Sequence, residues 1–469
     1  MKTRFVRFVL VVLALAVPAT MLAQAAKTEI YSIDTMTLTN KQILMGAKDG
    51  KPARIGGELR LPQGKGPFPA VVLVHGSRGA IENVDQWSRD FNSIGIAAFL
   101  LDSFSGRGIL DVRTNQSQLD HLAMMYDAYR ALDVLSKHPL IDPSRIAIMG
   151  FSKGGAAALQ SSMKRFQRVY GPPNVEFAAY LPFYPASCNW TLFEEDQVSD
   201  RPIRMFHGGS DDWVPVEPCR KYAERLRQAG KDVQITVYPG ARHCFDCSFL
   251  PAVISFPGAE NQSHCSAQEQ PGGELANVDT GKPFTYQDAC VTRGAAVGFN
   301  PNAYAEAKKA VKAFLIETFK LTPTAAQLRN QLVGTWRLVS FQRKTIATGE
   351  TVDIFGKAPK GYITYGQDGR VMVLFVKDER PRPRDLAAMT DQQRADLHKT
   401  MFAYSGTYDF DGEKVTHHLD VSWNEIWTNT DLVRTVKFDG RKVILTTLPA
   451  PSAVDGTMVV SDLTWEKVD

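Results

Sequence analysis

The spacing of apolar residues changes along the chain, and this change most constrains how the chain can fold. From about residue 66 to residue 320, short apolar runs alternate with longer stretches of helical period. This pattern is typical of βαβ units, in which both faces of a parallel sheet are covered. From Gly334 onward the apolar period is two, which is typical of antiparallel strands. The sequence therefore predicts an α/β domain followed by an all-β domain.

The first region contains predicted strands that are rich in aliphatic and aromatic residues, at 70–74, 96–101, 146–149, 177–183, 203–206 and 233–238. Its predicted helices, where apolar residues recur at helical spacing, lie at 117–138, 217–228 and 302–319. Strands that alternate with helices favour a doubly wound, mostly parallel sheet. Residues 248–300 interrupt this pattern and are predicted to be a poorly regular cover over the strand ends.

The second region contains about eight predicted strands, at 336–342, 362–365, 371–376, 404–410, 414–419, 432–438, 442–448 and 458–466. Asp-Gly pairs lie between several of them, at 368–369, 411–412, 439–440 and 455–456. Asp-Gly between alternating runs predicts a tight hairpin, because both residues tolerate a positive φ. Consecutive hairpins of this number favour an up-and-down barrel.

The first 25 residues have the features of a secretory signal. They carry three basic residues and no acidic one, an apolar run from Phe8 to Val17, and the small-residue sequence Ala23-Gln24-Ala25. We predict cleavage after Ala25 and export to the periplasm or the medium, with an uncleaved anchor as the alternative. The predicted organisation is a signal at 1–25, an α/β domain at 26–322 and a barrel at 328–469.

The net charge excludes one class of partner. The chain has 54 Lys and Arg against 50 Asp and Glu, and removal of the signal leaves 51 basic residues against 50 acidic ones. A nearly neutral mature chain predicts no nucleic-acid partner. No other apolar stretch has transmembrane length, so we expect no stable membrane anchor.

The cysteines all lie in one part of the first region. Their number is even, and an exported chain meets an oxidising compartment, so we expect disulfides whose pairing the sequence does not reveal. The candidates are Cys188, Cys219, Cys244, Cys247, Cys265 and Cys290. The alternative is a zinc site formed by Cys244, Cys247, His264 and Cys265, and a weaker one is a redox role for the Cys-x-x-Cys pair.

One motif points to nucleophilic catalysis. Gly150-Phe151-Ser152-Lys153-Gly154-Gly155 follows a predicted strand and opens an Ala-rich stretch. This is the context of a nucleophile elbow, in which a sharp turn from strand into helix exposes the Ser hydroxyl above the sheet. Ser152 is therefore the predicted nucleophile.

A Ser hydroxyl needs an imidazole to accept its proton and a carboxylate to orient that imidazole. In this fold the three groups follow in the order Ser, acid, His. Asp211 follows the strand at 203–206, and His243 follows the strand at 233–238. They are the predicted acid and base, with Asp212 and His264 as the respective alternatives.

Acyl transfer also needs backbone N–H donors for the developing oxyanion. One donor is predicted at Lys153, directly after the nucleophile, and the other at Ser77 or Arg78, in the loop after the strand at 70–74. His75, at the start of this loop, is expected to be structural.

These residues carry a resemblance to the dienelactone hydrolase family of α/β-hydrolases, over about residues 66–320. It rests on Gly150-x-Ser152-x-Gly154-Gly155, His75-Gly76, Gly208-x-x-Asp211 and Gly240-Ala241-x-His243-x-Phe245, and Asp102-Ser103-Phe104-x-x-Arg107-Gly108 resembles a motif of larger exported relatives. The family's namesakes use Cys as nucleophile, whereas this chain has Ser152. The resemblance implies ester hydrolysis without metal or organic cofactor, on a small-molecule ester.

Within this resemblance, two further expectations concern side chains near the site. Arg78 and Arg107 are candidates to bind a substrate carboxylate, with structural arginines as the alternative. Cys188 and Cys219 are candidates for a bridge beside the loop of Asp211.

The second region resembles bacterial lipocalin-like domains, over about residues 328–468. The resemblance rests on the segment Leu332 to Phe341, which contains Gly334-Thr335-Trp336. It implies an eight-stranded barrel that holds a small apolar ligand, or one that is packed without a cavity or serves as a docking module. His417 and His418, adjacent on a strand, point to opposite faces and cannot jointly bind a metal.

The combined prediction is an exported serine hydrolase of carboxylic esters or lactones, fused to a lipocalin-like barrel. A serine peptidase of the same fold is the enzymatic alternative. A secreted ligand-binding protein with an inert hydrolase domain is the non-enzymatic one.

Overall fold

The structure, a computed structural model, describes residues 26–80, 82–322, 325–452 and 456–468. The chain divides into two compact units, one ending at Leu321 and the other beginning at Thr322. The predicted signal, residues 1–25, lies outside the described residues. Among the helices of the described ranges, none is long and apolar enough to cross a membrane.

The first unit contains strands and helices in alternation. Its strands are β1 (Lys27–Thr37), β2 (Lys51–Leu61), β3 (Phe68–Val74), β4 (Ala97–Asp102), β5 (Ile141–Phe151), β6 (Ala179–Phe183), β7 (Trp190–Thr191), β8 (Ile203–Gly208), β9 (Val233–Tyr238), β10 (Ile254–Asn261), β11 (Ala267–Glu269), β12 (Leu275–Asn277) and β13 (Thr292–Val297). Its helices are α1 (Asn40–Leu44), α2 (Glu82–Asn92), α3 (His121–Ser136), α4 (Lys153–Gln160), α5 (Lys164–Tyr170), α6 (Val216–Gln228) and α7 (Pro301–Thr318).

Eight of these strands form one sheet in the order β1-β2-β4-β3-β5-β6-β8-β9. The pairs from β4 to β9 are parallel, and the pairs β1–β2 and β2–β4 are antiparallel. Every residue of β3 is buried, because side chains alternate between two apolar clusters. Val72 lies in the cluster that contains α3, and Val71 in the one that contains α2 and α7. The predicted mostly parallel, doubly wound sheet is confirmed.

Two parts of this unit differ from the prediction. The prediction omits β1 and β2, which lie at one edge of the sheet. Only two residues of β1 are buried, so its apolar signal is weak. Residues 248–300, predicted to be poorly regular, hold β10 to β13: β10 pairs with β13, and β11 pairs with β12 and, in parallel, with β7. Most residues of β10 and β13 are not buried, and β11 and β12 have three residues each, so pairing with distant segments rather than local pattern defines these strands.

The second unit is an antiparallel barrel. Its strands are β14 (Gly334–Thr345), β15 (Thr351–Asp353), β16 (Lys360–Tyr365), β17 (Arg370–Val376), β18 (Met401–Phe410), β19 (Lys414–Ser422), β20 (Asp431–Asp439), β21 (Lys442–Thr447), β22 (Ala450–Pro451) and β23 (Met458–Lys467), and its helices are α8 (Ala325–Leu332) and α9 (Asp391–Lys399).

Eight of these strands close into a ring, because β14 pairs with both β16 and β23. The predicted eight-stranded barrel is confirmed. Gly369, Gly412, Gly440 and Gly456 all have positive φ, as the predicted Asp-Gly turns require. Inward-facing aromatic side chains, among them Trp336 and Trp465, form the apolar core of the barrel.

Candidate active site

Ser152 lies on a sharp turn between the end of β5 and the start of α4. Its φ is +54°, in the region that favours glycine, and its backbone N–H donates to the Phe183 carbonyl at 3.0 Å. The neighbouring glycines are required by space: a Cβ on Gly150 would lie 2.0 Å from the Gly154 carbonyl oxygen, and one on Gly154 would lie 2.2 Å from that of Val74. The segment therefore has the geometry of a nucleophile elbow.

Asp211 and His243 form a buried pair on the loops that follow β8 and β9. His243 Nδ1 lies 2.8 Å from Asp211 Oδ2, and both side chains are almost fully buried. The other carboxylate oxygen, Oδ1, accepts from the backbone N–H groups of Trp213 at 3.0 Å and Val214 at 2.8 Å. The carboxylate is thus held in place from both sides, and it orients the imidazole.

Aromatic rings enclose His243. The ring of Tyr184 lies 4.6 Å from the imidazole, and the ring of Trp213 lies 5.1 Å from it. The Tyr184 hydroxyl donates to Asp246 at 2.5 Å, and Trp87 Nε1 donates to the same carboxylate at 2.9 Å. His243 and Ser152 line the same surface depression, so the structure brings the three predicted catalytic residues together.

The two alternative residues are engaged elsewhere or lie apart. Asp212 is half exposed, and its Oδ1 accepts from the Ala296 backbone N–H at 3.0 Å. His264 is exposed and lines neither depression at Ser152.

The predicted oxyanion donors are free to act. Within the described ranges, the backbone N–H groups of Ser77, Arg78 and Lys153 donate to no acceptor. Ser77 and Lys153 line a depression together with Ser152, and Ser77 also lines the second depression at this serine. His75 is fully buried, with Nε2 accepting from the Ser103 N–H at 3.1 Å, which fits the expected structural role.

The two arginine candidates differ. Arg78 is exposed at the site, with its guanidinium 5.5 Å from the centre of the Phe249 ring. The prediction that Arg107 binds substrate is wrong. Its side chain is 5% exposed and makes a bidentate pair with Asp127 at 2.7 and 3.0 Å. It also donates to Thr37 Oγ1 and to two backbone carbonyls, so no donor is left for a ligand.

All six cysteines form disulfides, as predicted. The pairs are Cys188–Cys219, Cys244–Cys247 and Cys265–Cys290. The bridge expected between Cys188 and Cys219 is present. The zinc alternative does not fit this pairing, because it needs thiolates at Cys244, Cys247 and Cys265.

Sequence reasoning missed several residues around the site. Tyr184 and Trp213 enclose the imidazole, and the side chain of Lys153 lies buried beside Ser152. Trp213 was visible two residues after Asp211 in the acid loop. Nothing in the sequence pattern distinguishes Lys153 from an exposed lysine.

The sheet, the elbow and the buried His–Asp pair define an α/β-hydrolase. Residues 55–268 match the model of the dienelactone hydrolase family, and residues 333–468 match that of a lipocalin-like domain. Residues 55–268 thus form a domain of the dienelactone hydrolase family, and residues 333–468 form a lipocalin-like domain. This confirms the predicted family and the predicted class of enzyme, a carboxylic ester hydrolase.

Two curated relatives illustrate the match. A Methylorubrum extorquens protein, provisionally assigned as a carboxymethylenebutenolidase, is 25% identical over 50% of this chain and 82% of its own length. A Bradyrhizobium protein, assigned as a probable 2-oxo-3-(5-oxofuran-2-ylidene)propanoate lactonase, is 26% identical over 42% of this chain and 83% of its own length.

Solved structures resemble the chain more remotely. A dienelactone hydrolase-like promiscuous phosphotriesterase from metagenomic libraries has a TM-score of 0.39 and 17% identity, covering 62% of this chain and 98% of its own. An esterase of Thermogutta terrifontis has a TM-score of 0.33 and 20% identity, covering 41% of this chain and 79% of its own.

Proposed function

We propose that the protein hydrolyses carboxylic esters or lactones through a covalent acyl-enzyme on Ser152. The observation that carries this proposal is the buried pair of His243 and Asp211, 2.8 Å apart, beside a serine on a nucleophile elbow. A serine hydroxyl becomes a competent nucleophile when such a pair accepts its proton.

In the first step, Ser152 Oγ attacks the carbonyl carbon while His243 takes the hydroxyl proton. The tetrahedral oxyanion accepts hydrogen bonds from the backbone N–H of Lys153 and from that of Ser77 or Arg78. When the intermediate collapses, the bond from carbon to the alcohol oxygen breaks, and His243 returns the proton to the leaving alcohol. Water then attacks the carbonyl carbon of the acyl-serine while His243 takes a proton from it. When this second intermediate collapses, His243 returns the proton to Ser152 Oγ, and the acid is released.

Replacement of the nucleophile tests this mechanism. Ser152→Ala should lower kcat for a chromogenic short-chain ester by about 10⁶, the size of effect known for a serine hydrolase. Ser144→Ala, which changes an exposed serine outside the site, should leave the rate unchanged. Equal rates in wild type and Ser152→Ala would exclude the serine mechanism and favour an inert hydrolase domain. Cleavage of the matching anilide at a rate comparable with that of the ester would favour a peptidase.

We also infer that the protein acts outside the cytoplasm. This inference is supported by the three disulfides, which persist in oxidising compartments. Fractionation of the producing cell should recover the mature chain in the periplasm or the medium, with Ala26 as its first residue. A cytoplasmic chain that retains residues 1–25 would contradict export.

A further inference from the structure

Two depressions meet at Ser152. The first, here called the apolar arm, is lined mainly by apolar side chains that include Phe249, Phe256 and Val297, and it also contains Arg78 and Arg113, the second of which is paired with Asp111. The second, here called the polar arm, is lined by Gln116, His121, Lys153, Glu260 and Ser263, among others. Ser152, Ser77 and Trp213 line both arms. An ester whose carbonyl lies at Ser152 therefore extends one of its two halves into each arm.

The position of His243 decides which half enters which arm. His243 lines the apolar arm and not the polar arm. In the proposed mechanism the leaving alcohol takes its proton from His243, and this transfer needs a hydrogen bond between the two. The alcohol half therefore lies in the apolar arm, and the acyl half lies in the polar arm.

The polar arm contains a buried ammonium that lacks a counter-ion. The Lys153 side chain is 1% exposed, and its Nζ donates to the backbone carbonyl of Gln116 at 3.1 Å and to the side-chain Oε1 of the same residue at 3.3 Å. Among the described residues, no carboxylate oxygen lies within 4.0 Å of it. An ammonium has three donors, so one of them is left without an acceptor. A buried charge without a partner is costly unless a ligand supplies one.

The acidic groups nearest to Lys153 are bound to other partners. Glu260 lies 3.2 Å from Arg293 Nη2, and its second oxygen accepts from the Gln116 backbone N–H at 2.7 Å. Burial raises the pKa of Asp120, whose carboxylate accepts from the Asn40 N–H.

His121 adds a second unpartnered polar group to the polar arm. Its Nδ1 is buried without a hydrogen-bond partner. Burial, with the charge of Lys153, lowers the pKa of His121, so its imidazole is neutral and does not compete with Lys153 for an anion. Asp120 and Glu260 stabilise the Lys153 ammonium only by longer-range attraction, without an ion pair, and the neutral imidazole offers it no negative charge.

We propose that Lys153 binds a carboxylate at the far end of the acyl group, so that the preferred substrates are half-esters of short dicarboxylic acids with apolar alcohols. This inference rests on the proposed function and assigns a specificity to the same site. Gln116 would act with Lys153 by holding the ammonium toward the acyl chain.

The preference can be measured with matched esters. Monobenzyl succinate and benzyl valerate share the alcohol and differ at the end of the acyl chain. We expect kcat/KM for monobenzyl succinate to be about ten- to a hundredfold higher, the range of a hydrogen bond to a charged group. The valerate ester of 4-(hydroxymethyl)benzoic acid carries its carboxylate on the alcohol half, in the arm that contains Arg78 and Arg113, so any gain over benzyl valerate should be independent of Lys153.

Variants of Lys153 should change the ratio of the two kcat/KM values. Lys153→Gln removes the charge and should bring the ratio close to one, while Lys153→Arg should retain part of the preference. Lys164→Gln, at an exposed lysine outside both arms, should leave the ratio as in wild type. Because both esters are measured on the same preparation, a partly unfolded variant changes both rates together and leaves the ratio interpretable.

The pH dependence of the wild-type ratio tests the same point without a variant. Burial lowers the pKa of Lys153 to about 8. The ammonium is charged below that pKa, so the preference should be full near pH 7 and should disappear as pH rises above about 8. The groups that face it are Asp120, Glu260 and His121, and burial lowers the pKa of the His121 imidazole, so this ring stays neutral over the same pH range.

The outcomes separate the two proposals. A ratio near one in the wild type, with turnover that still depends on Ser152, would overturn the carboxylate assignment and leave the proposed function intact. A preference for the ester with its carboxylate on the alcohol half that is lost in Lys153→Gln would overturn the assignment of the two arms. Absence of Ser152-dependent turnover of every ester would overturn both proposals.

Discussion

His243 in the hydrolase unit and His417 in the barrel are both buried, but their ring nitrogens have different partners. His243 has Nδ1 on the Asp211 carboxylate and lines a depression that it shares with Ser152. Both ring nitrogens of His417 lie within hydrogen-bonding distance of tyrosine hydroxyls, Nε2 at 2.8 Å from Tyr365 and Nδ1 at 2.6 Å from Tyr404.

The chemical consequence follows from these partners. A carboxylate stabilises the imidazolium that forms during catalysis, so His243 can accept a proton. No carboxylate stabilises a charge on His417, and burial lowers its pKa, so this histidine remains neutral. Burial of a histidine thus indicates a site only when one nitrogen has an acidic partner and the ring borders open space. Buried aromatic and aliphatic side chains, among them Trp336 and Trp465, surround His417 in the interior of the barrel.

The strongest test of this contrast is Asp211→Asn. Loss of the carboxylate should remove both the orientation and the charge stabilisation of His243, and should lower kcat for an ester by about 10⁴, as in a serine protease. Asp212→Asn, at the half-exposed neighbour, should cost far less. Steady-state kinetics of the two variants check this prediction, and the reverse order would move the acid to residue 212.

The two units also differ in covalent cross-linking, since all six cysteines lie between residues 188 and 290. Alanine at both Cys188 and Cys219, which are 31 residues apart, should lower the free energy of unfolding of the hydrolase unit by about 3–4 kcal/mol. The same change at Cys244 and Cys247, 3 residues apart, should cost about 2 kcal/mol, because the loop is shorter.

Hydrogen exchange of the full chain in urea measures the two units separately. Exchange protection in the barrel strands should be the same in both disulfide variants as in wild type. Equal losses of exchange protection in the two units would mean that the disulfides stabilise the barrel as well as the hydrolase unit.

An effect smaller than that of losing the Cys188–Cys219 bridge is expected for His417→Ala. The change leaves the hydroxyls of Tyr365 and Tyr404 without their partner and creates a cavity, so the barrel should lose about 2–3 kcal/mol of its free energy of unfolding. His418→Ala is the matched control. Its side chain points outward and pairs with Asp409 and Asp431, and such exposed pairs contribute under about 1 kcal/mol. Hydrogen exchange in β18 and β19 should show this difference, while ester hydrolysis is unaffected in both variants. Equal protection in the two variants would mean that the buried cluster does not stabilise the barrel.

Much of the architecture could be predicted from local pattern. All eight barrel strands were predicted, because alternation and Asp-Gly turns are short-range signals. The central strands of the parallel sheet were predicted because they are buried on both faces. The edge strands β1 and β2 and the short strands β10 to β13 were missed, since pairing with distant residues rather than their own composition stabilises them.

The sequence by itself determined that an α/β domain precedes a β-barrel, and it determined which residues form the nucleophile elbow. Both follow from local properties of the chain, namely the hydrophobic period and the need for glycine at a tight turn. Only the tertiary structure decided which charged side chains are free. Arg107 was a candidate to bind substrate or to be structural, and its donors are all bound to residues brought together by folding. Lys153 is buried beside Ser152 without a carboxylate partner among the described residues. Charge compensation depends on distances of a few ångströms between segments far apart in the chain, and no local pattern records those distances.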